Sequence, residues 1–255
     1  MSKYIKMHQK KRFMAIIYTI VIILFYQIYM NNELSAEEKT RPLEANRTIV
    51  IDPGHGGHDK GVAGADGSYE KQVTLKLARM IKTRLKNKLK VELTRSDDYQ
   101  IDIPNRTAKA NSLKAELFIS IHTGGSYLHK TDGINILYYK DISSSLPNNT
   151  DNSNKDMPGD IIKTSWNNIQ TIHITKSKSL AGKLKSSIFN EINLSEINIL
   201  EAPLAILSGA DMPSLILEIG YLTNPVEEKK LNDQKYLSNI ANGIIKGIEK
   251  FLAKN

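Results

Sequence analysis

Two histidines in this chain each follow a short β-branched run. His55 lies in Asp52-Pro-Gly-His-Gly-Gly57, directly after Thr48-Ile-Val-Ile51, and His122 follows Leu117-Phe-Ile-Ser-Ile121. A side chain at the end of a strand stands on a rigid element and can point into a cleft. Two carboxylates join them: Glu70, at the start of an amphipathic helical pattern, and Glu218, inside the apolar run Leu215-Ile-Leu-Glu-Ile219. Two histidines and one carboxylate form a ligand set of catalytic zinc, which leaves a fourth position for water. A further carboxylate nearby can then act as general base. A glutamate in an otherwise apolar strand is costly to bury unless it is paired, metal-linked or functional. The glycines around His55 allow close backbone approach, with Gly54 and Gly57 free to take φ values that other residues avoid. Asp52 is placed to orient a ligand from behind.

These side chains need a scaffold, and from Arg47 onward the pattern is α/β. Strands are expected at Thr48 to Ile51, Val91 to Thr94, Leu117 to Ile121, Ile134 to Tyr139, Pro203 to Leu207 and Ser214 to Ile219. Between them, Val73, Leu77, Met80, Ile81 and Leu85 recur at intervals of three and four and define one apolar helical face. Asp102 can cap a helix through Arg106 and Ala110, with Ile103 and Pro104 in its first turn. Leu180, Leu184, Ile188 and Ile192 mark another helix, and Ile240, Ile244, Ile248 and Phe251 a last one. Strands alternating with helices imply a sheet covered on both faces.

Residues 141–173 interrupt this rhythm. Positions 141–160 are rich in Ser, Asn and Asp, with Pro147, Pro158 and Gly159, and the sole tryptophan, Trp166, comes shortly after. A loop of this length inside a domain is usually functional or mobile. A passive surface insertion is one reading; Trp166 favours an ordered edge of the binding cleft, where an aromatic face can stack on a sugar or peptide. Arg95 and Arg106 can each grip a substrate carboxylate bidentately, with helix-to-loop salt bridges as the alternative. Asn224, just past a strand end, reads as a turn residue behind the Glu218 strand.

Composition bounds the setting. Forty per cent of the 255 residues are apolar, enough for one substantial core, and the absence of cysteine excludes both disulfides and Cys-based zinc sites. Residues 13–30 carry no charge and come after Lys3, Lys6, Lys10, Lys11 and Arg12. Eighteen residues at about 1.5 Å each span about 27 Å, close to the roughly 30 Å hydrocarbon core of a bilayer. The positive-inside rule keeps residues 1–12 cytoplasmic and exports the chain beyond Met30. A cleaved signal peptide, releasing a secreted protein, is the alternative, although the run ends without a clear small-residue cleavage site. Residues 31–46 are polar and aperiodic and read as a linker. Without the five N-terminal cations the formal charge of +8 falls to about +3, so the basic pI of ≈ 9.3 does not argue for nucleic acid as a partner.

Several motifs occur together in order. Val50-Ile51-Asp52-Pro53-Gly54-His55-Gly56-Gly57 precedes Glu70-Lys71, then Leu93-Thr94-Arg95 with Asp97 and Asp98, then Arg106 and Ala110-Asn111. Leu117 to His122 comes next, and Met212-Pro213 leads into Leu217-Glu218-Ile219-Gly220-Tyr221-Leu222-Thr223-Asn224. Over residues 47–253 the chain resembles the zinc-dependent N-acetylmuramoyl-L-alanine amidases of the Amidase_3 type. The resemblance implies a single domain with a mixed sheet of about six strands flanked by helices, here preceded by the expected N-terminal transmembrane helix. It implies one Zn2+ per chain on His55, Glu70 and His122, with Glu218 as catalytic carboxylate. His58, three residues from His55, is the competing ligand, and the resemblance together with the polar Asp59-Lys60 places it at the cleft edge. After the second histidine the family usually has Ala-Asn, whereas this chain has Thr123-Gly124-Gly125.

The function implied is cleavage of the amide between the lactyl group of N-acetylmuramic acid and L-alanine, in cell-wall remodelling or daughter-cell separation. The partners are peptidoglycan, the bacterial cytoplasmic membrane through residues 13–30, and a protein activator. The catalytic domain then lies in the periplasm or outside the cell. Two other readings use the same residues: an inactive wall-binding scaffold, and a hydrolase of another stem-peptide amide.

Overall fold

Strands form where β-branched and aromatic residues cluster between helical segments. The computed structural model describes residues 21–27, 47–140, 166–192 and 196–253, with only the helical backbone described at 166–170. The chain divides into two compact units, the first Met1–Pro42 and the second Leu43–Ala253. In the first, residues 21–27 are helical and exposed. The rest of the charge-free run 13–30, the basic segment 1–12 and the linker 31–46 lie outside the described residues. No helix among the described residues is long and apolar enough to cross a membrane.

The second unit is built from β1 (Thr48–Pro53), α1 (Glu70–Leu85), β2 (Lys90–Leu93), α2 (Ile103–Ser112), β3 (Phe118–Gly124), β4 (Ile134–Tyr139), α3 (Trp166–Ile192), β5 (Ile197–Ala202), β6 (Ser214–Tyr221), α4 (Pro225–Asn232) and α5 (Gln234–Leu252). The six strands make one sheet in the order β2-β1-β3-β6-β4-β5. β4 runs antiparallel to β6 and every other pairing is parallel, so the sheet is mixed.

Side chains alternate across a strand, and that alternation separates two environments. Ile49 and Ile51 of β1, Ile119 and Ile121 of β3, Ile134 and Ile136 of β4, and Leu215 and Leu217 of β6 join a large aliphatic core with α1, α3 and α5. The intervening residues point the other way. Val50, Phe118 and Ile216 form a smaller core there with Ala110 of α2 and Leu207. Asp52, Ser120, His122, Asn135 and Glu218 share the parity of that second face.

Two expectations change. The fifth strand is Ile197–Ala202, and Ala205–Leu207 is a short 3-10 helix. Pro203 has no N–H for a ladder, and Leu204 N instead bonds back to Ala202 O at 2.9 Å. β5 is an edge strand, half exposed, so it lacks the continuous apolar run that marks a central one. The interruption expected over 141–173 also ends earlier, because α3 begins at Trp166 and continues through the predicted Leu180–Ile192 stripe. Residues 141–165 and the Trp166 side chain lie outside the described residues.

Candidate metal centre and active site

β1 delivers His55 with a strained backbone. His55 has φ 61°, a left-handed value unfavourable for a residue with a Cβ. Two buried arginines fix the carbonyls around it. Arg95 donates to Pro53 O (3.0 Å) and Gly54 O (2.8 Å), and also to Asp97 O and Lys71 O. Arg106 donates to Pro53 O (3.0 Å) and His55 O (3.0 Å), as well as to Asp52 Oδ1 (2.8 Å) and Ile101 O (3.1 Å). In this structure their guanidinium groups hold the His55 loop. Arg95 is fully buried, whereas Arg106 also reaches the cleft wall.

Asp52 supports this loop indirectly. Its carboxylate accepts from Thr94 Oγ1, Ser120 Oγ (2.7 Å) and Arg106 Nη1, and none of its hydrogen bonds reaches a candidate ligand. The residue that touches His55 directly is Asp59, whose Oδ2 lies 2.8 Å from Nδ1. That pairing directs Nε2 toward Glu70 Oε2, 3.0 Å away. Glu70 opens α1 and is buried, and its other oxygen lies 3.0 Å from His122 Nδ1. Backbone N–H groups of Val62 and Thr123 also donate to this carboxylate, at 2.9 and 2.8 Å. His122 lies within β3, two residues before its end, its ring edge-on to that of His55 with centroids 5.0 Å apart. A Cβ on Gly54 would lie 2.6 Å from His122 Nε2, so glycine is needed there for clearance, whereas the left-handed φ of 60° falls at Gly57.

His55, Glu70 and His122 each offer a ligand atom within 4.8 Å of the others, a group that could hold a metal ion. The electrostatics suit a cation. For Glu70, burial pushes the pKa upward, but hydrogen bonds and charge from His122 and His55 outweigh it and hold the carboxyl far below its usual range. For His55, burial pulls downward, and Glu70 then Asp59 more than compensate, leaving the pKa raised. Asp59 is lowered, because contact with His55 and the Gly61 N–H overcomes a burial effect of opposite sign.

These residues line one side of a cleft of ≈ 910 Å³ that also contains Glu218. Glu218 is half-buried at this surface rather than enclosed in the strand interior. Ile101, Ile103, Leu204 and Ile206 give the cleft an apolar wall. Asn224, expected behind the Glu218 strand, caps α4: its side chain accepts from Val226 N at 3.0 Å and donates to Thr131 O at 3.2 Å. Sequence reasoning gave no role to Asp59, which touches His55, nor to Asn135, which lies opposite Glu218 in the sheet register. The signals were present, an acid four residues after His55 and an amide inside the apolar strand Ile134–Tyr139.

Two histidines and a carboxylate gathered beside a mixed α/β sheet, with a second carboxylate in the same cleft, make a donor set able to hold a catalytic metal. The sequence profile of the N-acetylmuramoyl-L-alanine amidase family matches residues 49–250, and the chain belongs to that family. It is 31% identical over 217 residues to the N-acetylmuramoyl-L-alanine amidase AmiC of Neisseria meningitidis serogroup B, covering 80% of this chain and 52% of the relative. The catalytic domain of CwlV from Bacillus (Paenibacillus) polymyxa superposes with a TM-score of 0.65 at 29% identity, over 81% of this chain and 98% of that one. CwlD of Clostridioides difficile, solved in complex with the GerS lipoprotein, shares the fold at a TM-score of 0.66 and 24% identity, over 82% and 100%. The chain spans about half the length of the AmiC relatives it matches, 52% and 57%.

Proposed function

We propose that this chain is a zinc-dependent peptidoglycan hydrolase that cleaves the amide between the lactyl group of N-acetylmuramic acid and L-alanine. The observation carrying this reading is the grouping of ligand atoms from His55, Glu70 and His122 within 4.8 Å, in the cleft that Glu218 shares. Neutral imidazole and carboxylate donors suit Zn2+, which when bound polarises a carbonyl and lowers the pKa of water. Glu218 takes a proton from the attacking water as its oxygen bonds to the amide carbon. The same carboxyl returns the proton to the alanine nitrogen as the C–N bond breaks, giving a lactyl carboxylate and a free amine. A positioned acid/base of this kind contributes about 10²- to 10⁴-fold.

The apolar wall formed by Ile101, Ile103, Leu204 and Ile206 fits the methyl groups of the lactyl and alanyl units. The charge-free run 13–30 behind five cations supports a single-pass anchor that leaves the catalytic unit outside the cytoplasm. The CwlD–GerS complex is the precedent for a protein partner.

Purified protein incubated with peptidoglycan, with zinc and with chelator, tests the reaction by mass spectrometry. Free glycan plus intact stem peptide is the expected product. A shortened peptide still attached to sugar would assign the enzyme to another amide, and no product with full zinc would favour the wall-binding scaffold.

A further inference from the structure

Asn135 breaks the aliphatic pattern of β4 as Glu218 breaks that of β6, and the reaction proposed above gives it no role. The sheet register sets His122, Glu218, Asn135 and Asn198 in one row across β3, β6, β4 and β5. Asn135 is buried. Its Nδ2 donates to Glu218 Oε2 at 2.9 Å and to the Tyr221 hydroxyl at 2.9 Å, while its Oδ1 accepts from Asn198 Nδ2 at 3.3 Å. Both amide hydrogens are therefore committed. Turning the amide over would set its oxygen against a carboxylate, so the network fixes its orientation.

Tyr221 reaches this network through an irregularity in β6. Residues 218 and 221 face opposite sides of a regular strand. Here the β3–β6 register shifts between His122 and Gly124, and Gly220 takes φ 136°. The shift turns Tyr221 toward Asn135. A Cβ on Gly124 would come within 2.7 Å of the Tyr221 ring, so the small residue there leaves room for the tyrosine.

We propose that Asn135 is the positioning residue for Glu218, holding Oε2 so that Oε1 is the oxygen that takes the proton from water. Among the described residues Oε1 has no hydrogen-bond partner. Tyr221 and Asn198 act through Asn135, fixing the plane of its amide. This role rests on the reading of Glu218 as general base.

The test compares Asn135→Asp, which keeps shape but replaces the donor by an acceptor, with Asn135→Ala and Tyr221→Phe. Both Asn135 variants should lose about 10- to 100-fold in kcat, the scale set by misplacing a catalytic group by about 1 Å. Their KM and zinc content should stay within about twofold of the parent, because binding is left in place. Tyr221→Phe should lower kcat several-fold in the parent and by nothing further in the Asn135→Ala background, the signature of coupled residues. A crystal structure of Asn135→Ala should show the Glu218 carboxylate in more than one orientation with His55, Glu70 and His122 unmoved. Parental kcat in both Asn135 variants, or zinc lost in step with kcat, would overturn the proposal. Full turnover by Glu218→Gln would instead remove the general-base reading itself, so the identity of the variant without effect separates the two failures.

Discussion

The two faces of the sheet come from the same six strands, yet they are finished differently. One is aliphatic and lies under α1, α3 and α5. The other carries Asp52, Ser120, His122, Asn135 and Glu218, and its smaller core involves α2 and the short helix near Leu207. Pleat alternation lets one set of strands serve both purposes, since consecutive residues such as Ile121 and His122 enter different environments. The aliphatic face contributes stability by burying area. The polar face holds buried charge, which is stable only where each group is paired, as Asp52 is with Thr94, Ser120 and Arg106. Chemistry therefore depends on the face with the thinner cover, where a cleft can remain open.

If this division is real, variants on the two faces should fail in different ways. The largest expected effect is on turnover. Glu218→Gln preserves shape and removes the base, so kcat should fall by about 10²- to 10⁴-fold, with zinc content and Tm unchanged. Undiminished turnover would detach Glu218 from the chemistry. Next comes Arg106→Ala, which tests whether the polar face also has a structural load. It removes one partner of a buried ion pair and frees the His55 carbonyl, so about 3–5 kcal/mol of stability should be lost on chemical denaturation, together with zinc affinity. Ile119→Ala on the opposite face should cost about 2–5 kcal/mol while kcat per folded molecule at low temperature stays within about twofold. A kcat defect there without a stability defect would break the comparison.

Much of this division is legible from residue types. The apolar, β-branched runs Thr48–Ile51, Leu117–Ile121 and Ser214–Ile219 locate the three parallel strands that position His55, His122 and Glu218, because central strands buried on both faces read as such runs. β5 escapes that reading because an edge strand with Asn198 and Glu201 has no such run, whereas Pro203–Leu207 imitates one. Arg95 and Arg106 are ambiguous in the sequence for a different reason. A cation near a cleft motif looks the same in sequence whether it faces substrate or backbone carbonyls, and only the turn around His55 shows which carbonyls need donors. Asn135 carries the same signal as Glu218, a polar residue in an apolar strand. Its partner stays hidden in the sequence because the antiparallel pairing of β4 with β6 is a long-range choice.

The smallest effect, and the finest test of how the polar face is ordered, lies at its exposed rim. Asp59 Oδ2 meets His55 Nδ1 at 2.8 Å, and its Oδ1 accepts from Gly61 N at 3.1 Å. A carboxylate on one imidazole nitrogen keeps the proton there and leaves Nε2 as the donor atom for a metal, a contact whose loss typically costs about 10- to 100-fold in metal affinity. Because the Asp59 side chain is exposed, its removal should leave stability nearly unchanged. Asp59→Ala should therefore weaken zinc binding, measured by competition with a chromogenic chelator, while kcat at saturating zinc approaches the parent value. Asp59→Asn should lose less, since its amide oxygen can still accept from Nδ1–H or from Gly61. Equal zinc affinity in all three proteins would mean that the backbone set by Arg95 and Arg106 orients His55 unaided. A kcat defect persisting at saturating zinc would instead place Asp59 in contact with substrate.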